Sequence, residues 1–232
     1  MAGIVFHSFE GSSYLWSLMQ IADEKGIPYR LEKLALNSPE HLALHPFGKM
    51  PVMQHGDVFL YESLTIAHYI DKTFGGPALQ PEDVLGQANV LRWISIVNSY
   101  VFTVMNRFFK ERIVRPAWGF EPDQAFIDQA HDPLLLQMRL IDEAVRAGGF
   151  LVGDRLTIAD SFLFPNLLFF SLTPEGSVLV EQHDAAAGWL ARMRARPSYA
   201  GSIIERSHGE TAKLAEGLYQ TPPSTRITAP VV

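Results

Sequence analysis

Short apolar runs separated by turn residues characterise residues 3–73. Alternating apolar positions predict strands, and apolar positions that recur every three or four residues predict helices. The predicted elements are a strand at 4–6, a helix from about 15 to 25 that stops at Gly26, a strand at 29–36, one helical turn at 39–44, a hairpin around 55–57 and a helix capped by Ser63. This order of strands and helices predicts a mixed sheet, because the first strand–helix–strand unit must cross over right-handedly.

Long helical periods replace these runs from about residue 84 onward. The predicted helices span 85–114, 123–147, 162–170 and 184–196. Pro133 lies inside the second of them, which predicts a kink or a break at that point. Thr157 and Asp160 have the spacing of a capping box, in which both side chains bond backbone N–H groups at the start of a helix.

The segment 75–83 holds two glycines and two prolines and separates the two patterns. Such a segment predicts a linker between two domains. We therefore expect a first domain at 1–74, a helical second domain at 84–220 and a tail at 221–232. The predicted fold class is an α/β domain followed by an all-α domain.

Composition narrows the chemistry that this fold can perform. The 232 residues include no cysteine, which excludes disulfides, thiolate metal sites and a cysteine nucleophile. Any reaction must then use oxygen, nitrogen or a thiol brought by another molecule. The net charge of −6 makes nucleic acid and anionic membranes poor partners. His41 and His45 are four residues apart, but their segment is too short to trust as a metal-binding helix, and we expect no metal site.

Motifs for targeting and for nucleotide binding are also missing from the sequence. Neither a targeting segment nor an apolar run long enough to span a membrane is visible. A glycine-rich phosphate loop is missing as well, so nucleotide binding has no support. We expect a cytoplasmic protein.

Two pairs of residues allow a structural and a functional interpretation. Glu62 and Ser63 are either a helix start with a favourably placed acid, or an anion site with an acid that holds an ammonium nearby. Met50-Pro51 is either an ordinary trans step at a strand edge, which base rates favour, or a cis step that exposes backbone groups to an extended peptide.

Hydroxyl groups stand at the start of the first predicted helix. Ser12 and Ser13 are good helix caps, which is the simpler interpretation. A hydroxyl at a helix N-terminus can also donate to an anion. The sequence around them lacks the pattern of a nucleophilic serine.

These pieces, in their order and spacing, resemble the cytosolic glutathione transferases. The motifs that carry the resemblance are Ser12-Ser13-Tyr14, Lys25-Gly26-Ile27-Pro28-Tyr29, His45-Pro46-Phe47-Gly48-Lys49-Met50-Pro51-Val52, Tyr61-Glu62-Ser63, Phe150-Leu151-Val152-Gly153-Asp154 and Leu156-Thr157-Ile158-Ala159-Asp160. The resemblance covers roughly residues 3–200 and is to the serine-type, bacterial-like classes. It implies a thioredoxin-like N-terminal domain, an all-helical C-terminal domain and a homodimer.

The resemblance also implies glutathione as co-substrate and assigns residues to it. The expected glutathione-binding residues are Asn37, Lys49, Met50, Pro51, Glu62 and Ser63, and the Met50-Pro51 step corresponds to the family's cis-proline. Ser12 corresponds to the hydroxyl that activates the thiol in serine-type classes. The basic residue that often follows is replaced by Tyr14-Leu15-Trp16, so Ser13 or Tyr14 remains an alternative for that role.

A pocket for a hydrophobic electrophile is expected between the domains, lined by the first helix and the long helix at 85–114. The candidate lining residues are Tyr100, Val104, Asn106, Phe108 and Arg112, each of which is also compatible with core or plain surface. The implied activity is glutathione transfer to an electrophile in detoxification. The alternatives are a non-catalytic binding module on the same fold, or a glutathione-dependent peroxidase, dehalogenase or ether-cleaving enzyme.

Overall fold

A computed structural model describes residues 3–9 and 11–199 of the chain. The first domain consists of strands β1 (Ile4–His7), β2 (Tyr29–Glu32), β3 (Val52–His55) and β4 (Val58–Leu60) and helices α1 (Ser13–Glu24), α2 (Pro39–Leu44) and α3 (Ser63–Thr73). The sheet order is β2-β1-β3-β4. Only β1 and β2 are parallel, so the predicted mixed sheet is confirmed.

The second domain is helical. Its helices are α4 (Val84–Ile96), α5 (Arg107–Phe109), α6 (Arg115–Ala117), α7 (Gln124–Gly148), α8 (Ile158–Ser171), α9 (Pro174–Glu181) and α10 (Asp184–Arg194), and a short 3₁₀ turn follows at Pro197–Tyr199. Two π-helical segments, Val97–Asn106 and Lys110–Val114, join α4, α5 and α6 into one helical stretch over 84–117. The α/β plus all-α fold class and its thioredoxin-like first domain are confirmed.

Three local predictions need correction. Strand β2 ends at Glu32, not at residue 36, because the chain turns where Ser38 N donates to the carbonyl of Ala35 at 3.1 Å. Helix α7 continues through Pro133 without the expected break. Pro133 and Gln129, whose carbonyl loses its donor, are both exposed, so the missing hydrogen bond lies on the solvent side of the helix. Helix α9 was not expected.

Helix α8 is the central support of the molecule. Almost all of its residues are buried, and it packs against α1, α4 and the first π-helical segment. The predicted capping box at its start is present between Thr157 and Asp160. The Asp160 carboxylate also accepts from Leu151 N at 2.9 Å and from Trp189 Nε1 at 3.0 Å. One buried acid thus fixes the start of the helix that both domains share.

The expected linker at 75–83 is tied to the first domain. Lys25 Nζ donates to Asp71 Oδ1 at 3.3 Å and to the carbonyl of Pro77 at 3.0 Å. The same Asp71 oxygen accepts from Leu79 N at 2.8 Å. The proposed domain boundaries stay predictions, and the end of the second domain at 220 and the tail at 221–232 lie outside the described residues.

Among the described helices, none is both long and apolar enough to cross a membrane by itself. Helices α8 and α9 reach that threshold only when counted together, and they are bent by 117° with respect to each other.

Candidate active site

An open cleft of about 600 Å³ lies between the two domains. The first domain contributes Phe9, Gly11, Ser12, Ser13, Tyr14, Leu36, His45, Gly48, Lys49, Met50, Pro51, Glu62, Ser63 and Leu64 to its wall. The second domain contributes Asn98, Phe102, Asn106 and Lys110. We call these two sets the N-terminal wall and the C-terminal wall.

Ser12 occupies the N-cap position of α1 and is buried at the base of the N-terminal wall. Its Oγ accepts from Leu15 N at 3.2 Å, as the sequence predicts for a cap. Within the described part of the chain this hydroxyl donates to no acceptor, so its proton is available to a ligand in the cleft. Ser12 therefore combines a fixed oxygen with a free donor beside the positive end of a helix.

Tyr14 is held differently. Its hydroxyl donates to Asn98 Oδ1 at 3.2 Å, across the domain junction. Burial and the charge of Glu62 raise the pKa of Tyr14 above its ordinary value. Its proton is thus both engaged and harder to lose than that of a free tyrosine. Ser13 also lines the cleft and is buried in the first turn of α1.

The start of α3 differs from the prediction. Ser63 is the first helical residue, and Glu62 occupies the cap position without a side-chain capping bond. Glu62 has a φ of 70°, in the left-handed region that residues with a side chain seldom adopt. The cap role expected for Ser63 is therefore wrong. The first N–H groups of α3 are not capped by Glu62, and both residues line the cleft.

The Met50-Pro51 peptide bond is cis. The step precedes β3, and both residues line the cleft together with Lys49. The trans proline that base rates favour is wrong here, and the cis step that the resemblance implies is confirmed.

His41 organises this loop, a role that sequence reasoning missed. Its fully buried ring accepts from Asn37 N at Nδ1 over 2.9 Å, and its Nε2 lies 2.9 Å from the carbonyl of Lys49. One imidazole thus ties the two segments that carry Asn37 and Lys49. Asn37 itself is exposed and is not part of the cleft lining, although its Oδ1 lies close to Gly48.

His45 is a second histidine of the N-terminal wall that was not predicted as a site residue. It is almost fully buried, and its ring centroid lies 4.7 Å from that of Tyr61. Burial lowers the pKa of His45, partly offset by the negative charge of Glu62. The neutral ring is favoured, and its Nδ1 accepts from Phe47 N at 3.3 Å.

The C-terminal wall is a single row along the helical stretch 84–117. Its residues Asn98, Phe102, Asn106 and Lys110 are spaced by four positions. In a regular α-helix each four-residue step overshoots a turn by about 40°, so such a row would spiral away from the cleft. The π-helical segments have wider turns, which offset this rotation and keep the row on one face.

The cleft lies between the elements predicted to line an electrophile pocket, but four of the five residues predicted for that pocket lie outside the cleft lining. Asn106 lines the cleft, whereas Tyr100, Val104, Phe108 and Arg112 do not. These four have the spacing of the observed row and are displaced from it by two residues, which is about 200° around a helix. They therefore lie on the opposite face.

The surroundings of these four residues are those of core or surface positions. Phe108 is 2% exposed and its ring packs 5.7 Å from that of Phe170. Arg112 forms an ion pair with Glu175. Tyr100 is 63% exposed, and Val104 packs against the core. The observed row differs from the predicted one in that three of its four members, Asn98, Asn106 and Lys110, are polar.

Lys110 and Asn106 form the polar end of the C-terminal wall. Lys110 is partly buried, and this burial together with the charge of Lys49 lowers the pKa of Lys110, partly offset by Glu111. Asn106 is only 5% exposed. Across the residues that the structure describes, no group of three or more histidine or acidic side chains is placed to hold a metal ion.

Family models of the glutathione S-transferases match both domains of this chain. The model of the N-terminal domain matches residues 6–78, and the model of the C-terminal domain matches residues 124–192. The first match contains the N-terminal wall, and the C-terminal wall lies between the two matches.

Curated relatives include two rice proteins. The probable glutathione S-transferase GSTF1 of Oryza sativa subsp. japonica is 30% identical over 165 residues, which is 69% of this chain and 75% of that protein. The probable glutathione S-transferase GSTF2 of the same organism is 26% identical, over 81% of this chain and 91% of that protein.

Solved structures agree with these matches. Glutathione S-transferase III in its apo form superposes with a TM-score of 0.79 at 25% identity, over 88% of this chain and 96% of that one. Glutathione S-transferase-I bound with lactoylglutathione gives a TM-score of 0.78 at 25% identity, over 92% of this chain and all of that one (100%). The chain therefore belongs to the glutathione S-transferase family and is a transferase with glutathione as its co-substrate.

Proposed function

We propose that the protein joins the sulfur of glutathione to an electrophilic small molecule and that Ser12 stabilises the thiolate. The observation that carries this proposal is the Ser12 hydroxyl, whose oxygen is fixed by Leu15 N while its proton is free to reach the cleft. This assignment makes the enzyme a serine-type member of its family. The relatives described above include plant proteins, and the bacterial-like part of the expected resemblance stays a prediction.

The energy required is within the reach of one hydroxyl. Lowering the thiol pKa by about 2 units requires about 2.7 kcal/mol of thiolate stabilisation. A hydrogen bond to a charged group contributes about 1.5–3 kcal/mol, and the N-terminus of α1 adds about 0.3–1 kcal/mol. Ser12 acts as a donor to the sulfur, not as a nucleophile.

Ser12 is favoured over its two neighbours for this role. The Tyr14 hydroxyl already donates its hydrogen bond to Asn98 Oδ1, and the raised pKa of Tyr14 makes it a weaker hydrogen-bond donor to a thiolate. The oxygen of Ser13 is not held by a capping bond of the kind that orients Ser12.

The remaining groups of glutathione find complementary partners on the N-terminal wall. Glu62 has the charge to bind the ammonium of the γ-glutamyl group, and the first N–H groups of α3 at Ser63 suit its carboxylate. The backbone of Met50, before the cis proline, suits the cysteinyl amide. Lys49 suits the glycyl carboxylate, with Asn37 held nearby through His41.

We also propose that the enzyme acts as a homodimer in the cytoplasm. Large apolar side chains on the surface support a second copy as partner: Phe47 is 73% exposed, Val84 83% and Leu85 71%. A chain without cysteine requires no oxidising compartment for its folding, which suits the cytoplasm.

The test compares Ser12→Ala with Ser13→Ala and Tyr14→Phe, using a chlorodinitrobenzene as electrophile. We expect Ser12→Ala to lower kcat/KM by about 10–100-fold and to raise the pKa of the bound thiol by about 1–2 units, since one hydrogen bond to the sulfur is lost. The two control variants should stay within about threefold of wild type, which corresponds to less than 1 kcal/mol.

Other outcomes would change the assignment in distinct ways. Wild-type activity in Ser12→Ala would show that Ser12 is not the activating group. Glutathione binding in a calorimeter without turnover of any electrophile would favour a binding module. Turnover restricted to peroxides, organic halides or aryl ethers would keep the site and change the reaction.

A further inference from the structure

His45 lines the N-terminal wall, but the arrangement of glutathione proposed above gives it no task. We propose that His45 is a positioning residue, whose uncharged ring holds the Tyr61-Glu62 segment so that the Glu62 carboxylate meets the ammonium of glutathione. The inference rests on the proposed function, because it assigns a role within the glutathione site. It adds a condition to that site, which is that the His45 ring carries no charge.

Ring packing connects His45 to the segment before α3. The centroids of the His45 and Tyr61 rings are 4.7 Å apart, and the rings are tilted by 40°. His45 is 2% exposed and Tyr61 is 39% exposed, so the buried histidine is the support on which the tyrosine lies. Aromatic pairs at this distance stabilise a contact beyond the area that they bury. The ring of His45 thus restrains the position of Tyr61.

Glu62, which follows Tyr61, has a backbone conformation that requires restraint. Its φ of 70° lies in the left-handed region, and such a residue keeps this conformation only where its surroundings fix it. Glu62 occupies the cap position of α3 without a side-chain capping bond of its own. The packing of Tyr61 on His45 is therefore a contact that fixes the turn from which the Glu62 carboxylate projects.

The hydrogen bond of His45 requires the neutral ring. Nδ1 accepts from Phe47 N at 3.3 Å, so the proton of the neutral ring is on Nε2. A second proton would go to Nδ1, and both ring nitrogens would then be donors. The bond from Phe47 N would be lost, because two N–H groups would face each other. Protonation therefore releases the ring from its own loop.

The charged neighbours of the ring come from three segments. Burial lowers the pKa of His45 most, and His41 on α2 and Lys49 before β3 lower it further, whereas Glu62 before α3 raises it. The net shift is downward, so the ring is neutral at pH 7. In acid the ring becomes a cation in the field of Glu62, where it competes with the ammonium of glutathione for the carboxylate.

The first experiment measures the Kd of S-methylglutathione by calorimetry between about pH 7 and pH 5, where the ammonium and both carboxylates of this ligand stay charged. The bound ammonium disfavours a second proton on His45, so binding is strongest with the neutral ring. In wild type the Kd should therefore rise as the pH falls below about 6.5, the ordinary pKa of histidine, and should be about threefold higher at pH 5.

Two substitutions separate the ring of His45 from its charge. His45→Phe keeps a ring against Tyr61 and cannot be protonated, so the Kd should lose the part of its rise at low pH that is due to His45. His45→Asn keeps an acceptor for Phe47 N but has no ring, and at pH 7 its Kd should be about three- to tenfold above that of wild type and above that of His45→Phe. His131→Asn, at an exposed histidine on α7 outside the cleft lining, is the matched control and should behave as wild type does.

A second ligand assigns the effect to Glu62. The glutaryl analogue of S-methylglutathione has a hydrogen in place of the ammonium and keeps every other group. At pH 7 wild type and His45→Asn should bind this analogue equally well, since a ligand without the ammonium does not use the Glu62 carboxylate. A general disturbance of the loop would instead weaken the binding of both ligands.

Three results would overturn the inference. The first is a Kd of S-methylglutathione that does not rise in acid, or that rises as steeply in His45→Phe as in wild type. The second is a loss at pH 7 in His45→Phe as large as that in His45→Asn. The third is an equal loss for both ligands in His45→Asn. A wild type that binds S-methylglutathione but transfers glutathione to no electrophile would overturn only the proposed function.

Discussion

The two walls of the cleft present their chemistry in different ways. The N-terminal wall consists of element ends: the cap of α1, the step before β3 and the strained start of α3, where backbone groups are exposed as much as side chains. The C-terminal wall is one face of a continuous helix, where only side chains reach the cleft. A wall of backbone ends suits one invariant peptide ligand, whereas a wall of side chains is free to change with the second substrate.

The largest expected effect comes from a substitution at the start of helix α8, which supports both walls. Asp160→Ala leaves the donors at Leu151, Thr157 and Trp189 without their acceptor inside the protein. We expect a loss of about 3–5 kcal/mol in the free energy of unfolding, because each buried unsatisfied donor costs about 1–3 kcal/mol. Chemical denaturation measures it, with the exposed Asp184→Ala as control, and a loss below 1 kcal/mol would contradict the central role of α8.

The next effect should affect the N-terminal wall alone. Glu62→Gln removes the charge that we assign to the ammonium of glutathione, and we expect the KM for glutathione to rise about 10-fold or more. The KM for the chlorodinitrobenzene at saturating glutathione should stay unchanged. Equal losses for both ligands would show that the walls are not independent.

A smaller effect should follow from the loop that His41 organises. His41→Phe removes the bonds to Asn37 N and to the Lys49 carbonyl. We expect the KM for glutathione to rise about three- to tenfold and kcat to change little, since Lys49 is displaced but the sulfur is not. His41→Gln, which can make one of the two bonds, should recover part of the loss, and full activity in His41→Phe would show that the loop is held by other contacts.

The smallest effect concerns the contact between the two domains at Glu24. Arg196, which follows α10, donates to both carboxylate oxygens of Glu24 at 2.6 Å, and Ser198 Oγ donates to Glu24 Oε1 at 2.7 Å. We expect Glu24→Gln to cost about 1 kcal/mol at neutral pH, since the pair is only partly buried.

The pH dependence of this contact has a definite sign. Burial alone would raise the pKa of Glu24, but the hydrogen bonds from Arg196 and Ser198 outweigh it and lower the pKa below its ordinary value. The stabilisation is therefore present above about pH 4.3, the ordinary pKa of glutamate, and is lost as the pH falls through the lower value in the folded state. The stabilities of wild type and Glu24→Gln should converge as the pH falls below that lower value, and a difference that stays constant with pH would exclude this carboxylate as its source.

Sequence reasoning succeeded wherever a feature depends on a few neighbouring residues. The Ser12 cap and the Thr157 capping box are local hydrogen-bond patterns, and both are present. Sequence reasoning failed in two places. It chose the wrong one of two adjacent residues for the cap of α3, and it chose the wrong face of the long helix for the cleft. Glu62 displaced Ser63 from the cap position because its backbone takes a left-handed conformation, which no local preference of glutamate indicates.

The C-terminal wall shows the second kind of failure. A periodicity of four residues fits both the observed row and the row two positions away, and the face of the helix that packs on the core decides which one meets the cleft. Local sequence preferences do not predict π-helical turns. Only the structure therefore shows that Lys110 faces the cleft.

Those wide turns make the length of the helix a determinant of selectivity. Removing one residue between Phe102 and Asn106 would shift every later residue by one place, so that Arg107 and Glu111 would occupy the positions of Asn106 and Lys110. A single codon lost at this point would replace an amide and a cation by a cation and an acid, and would so change the charge pattern that this wall presents, with the glutathione side left intact.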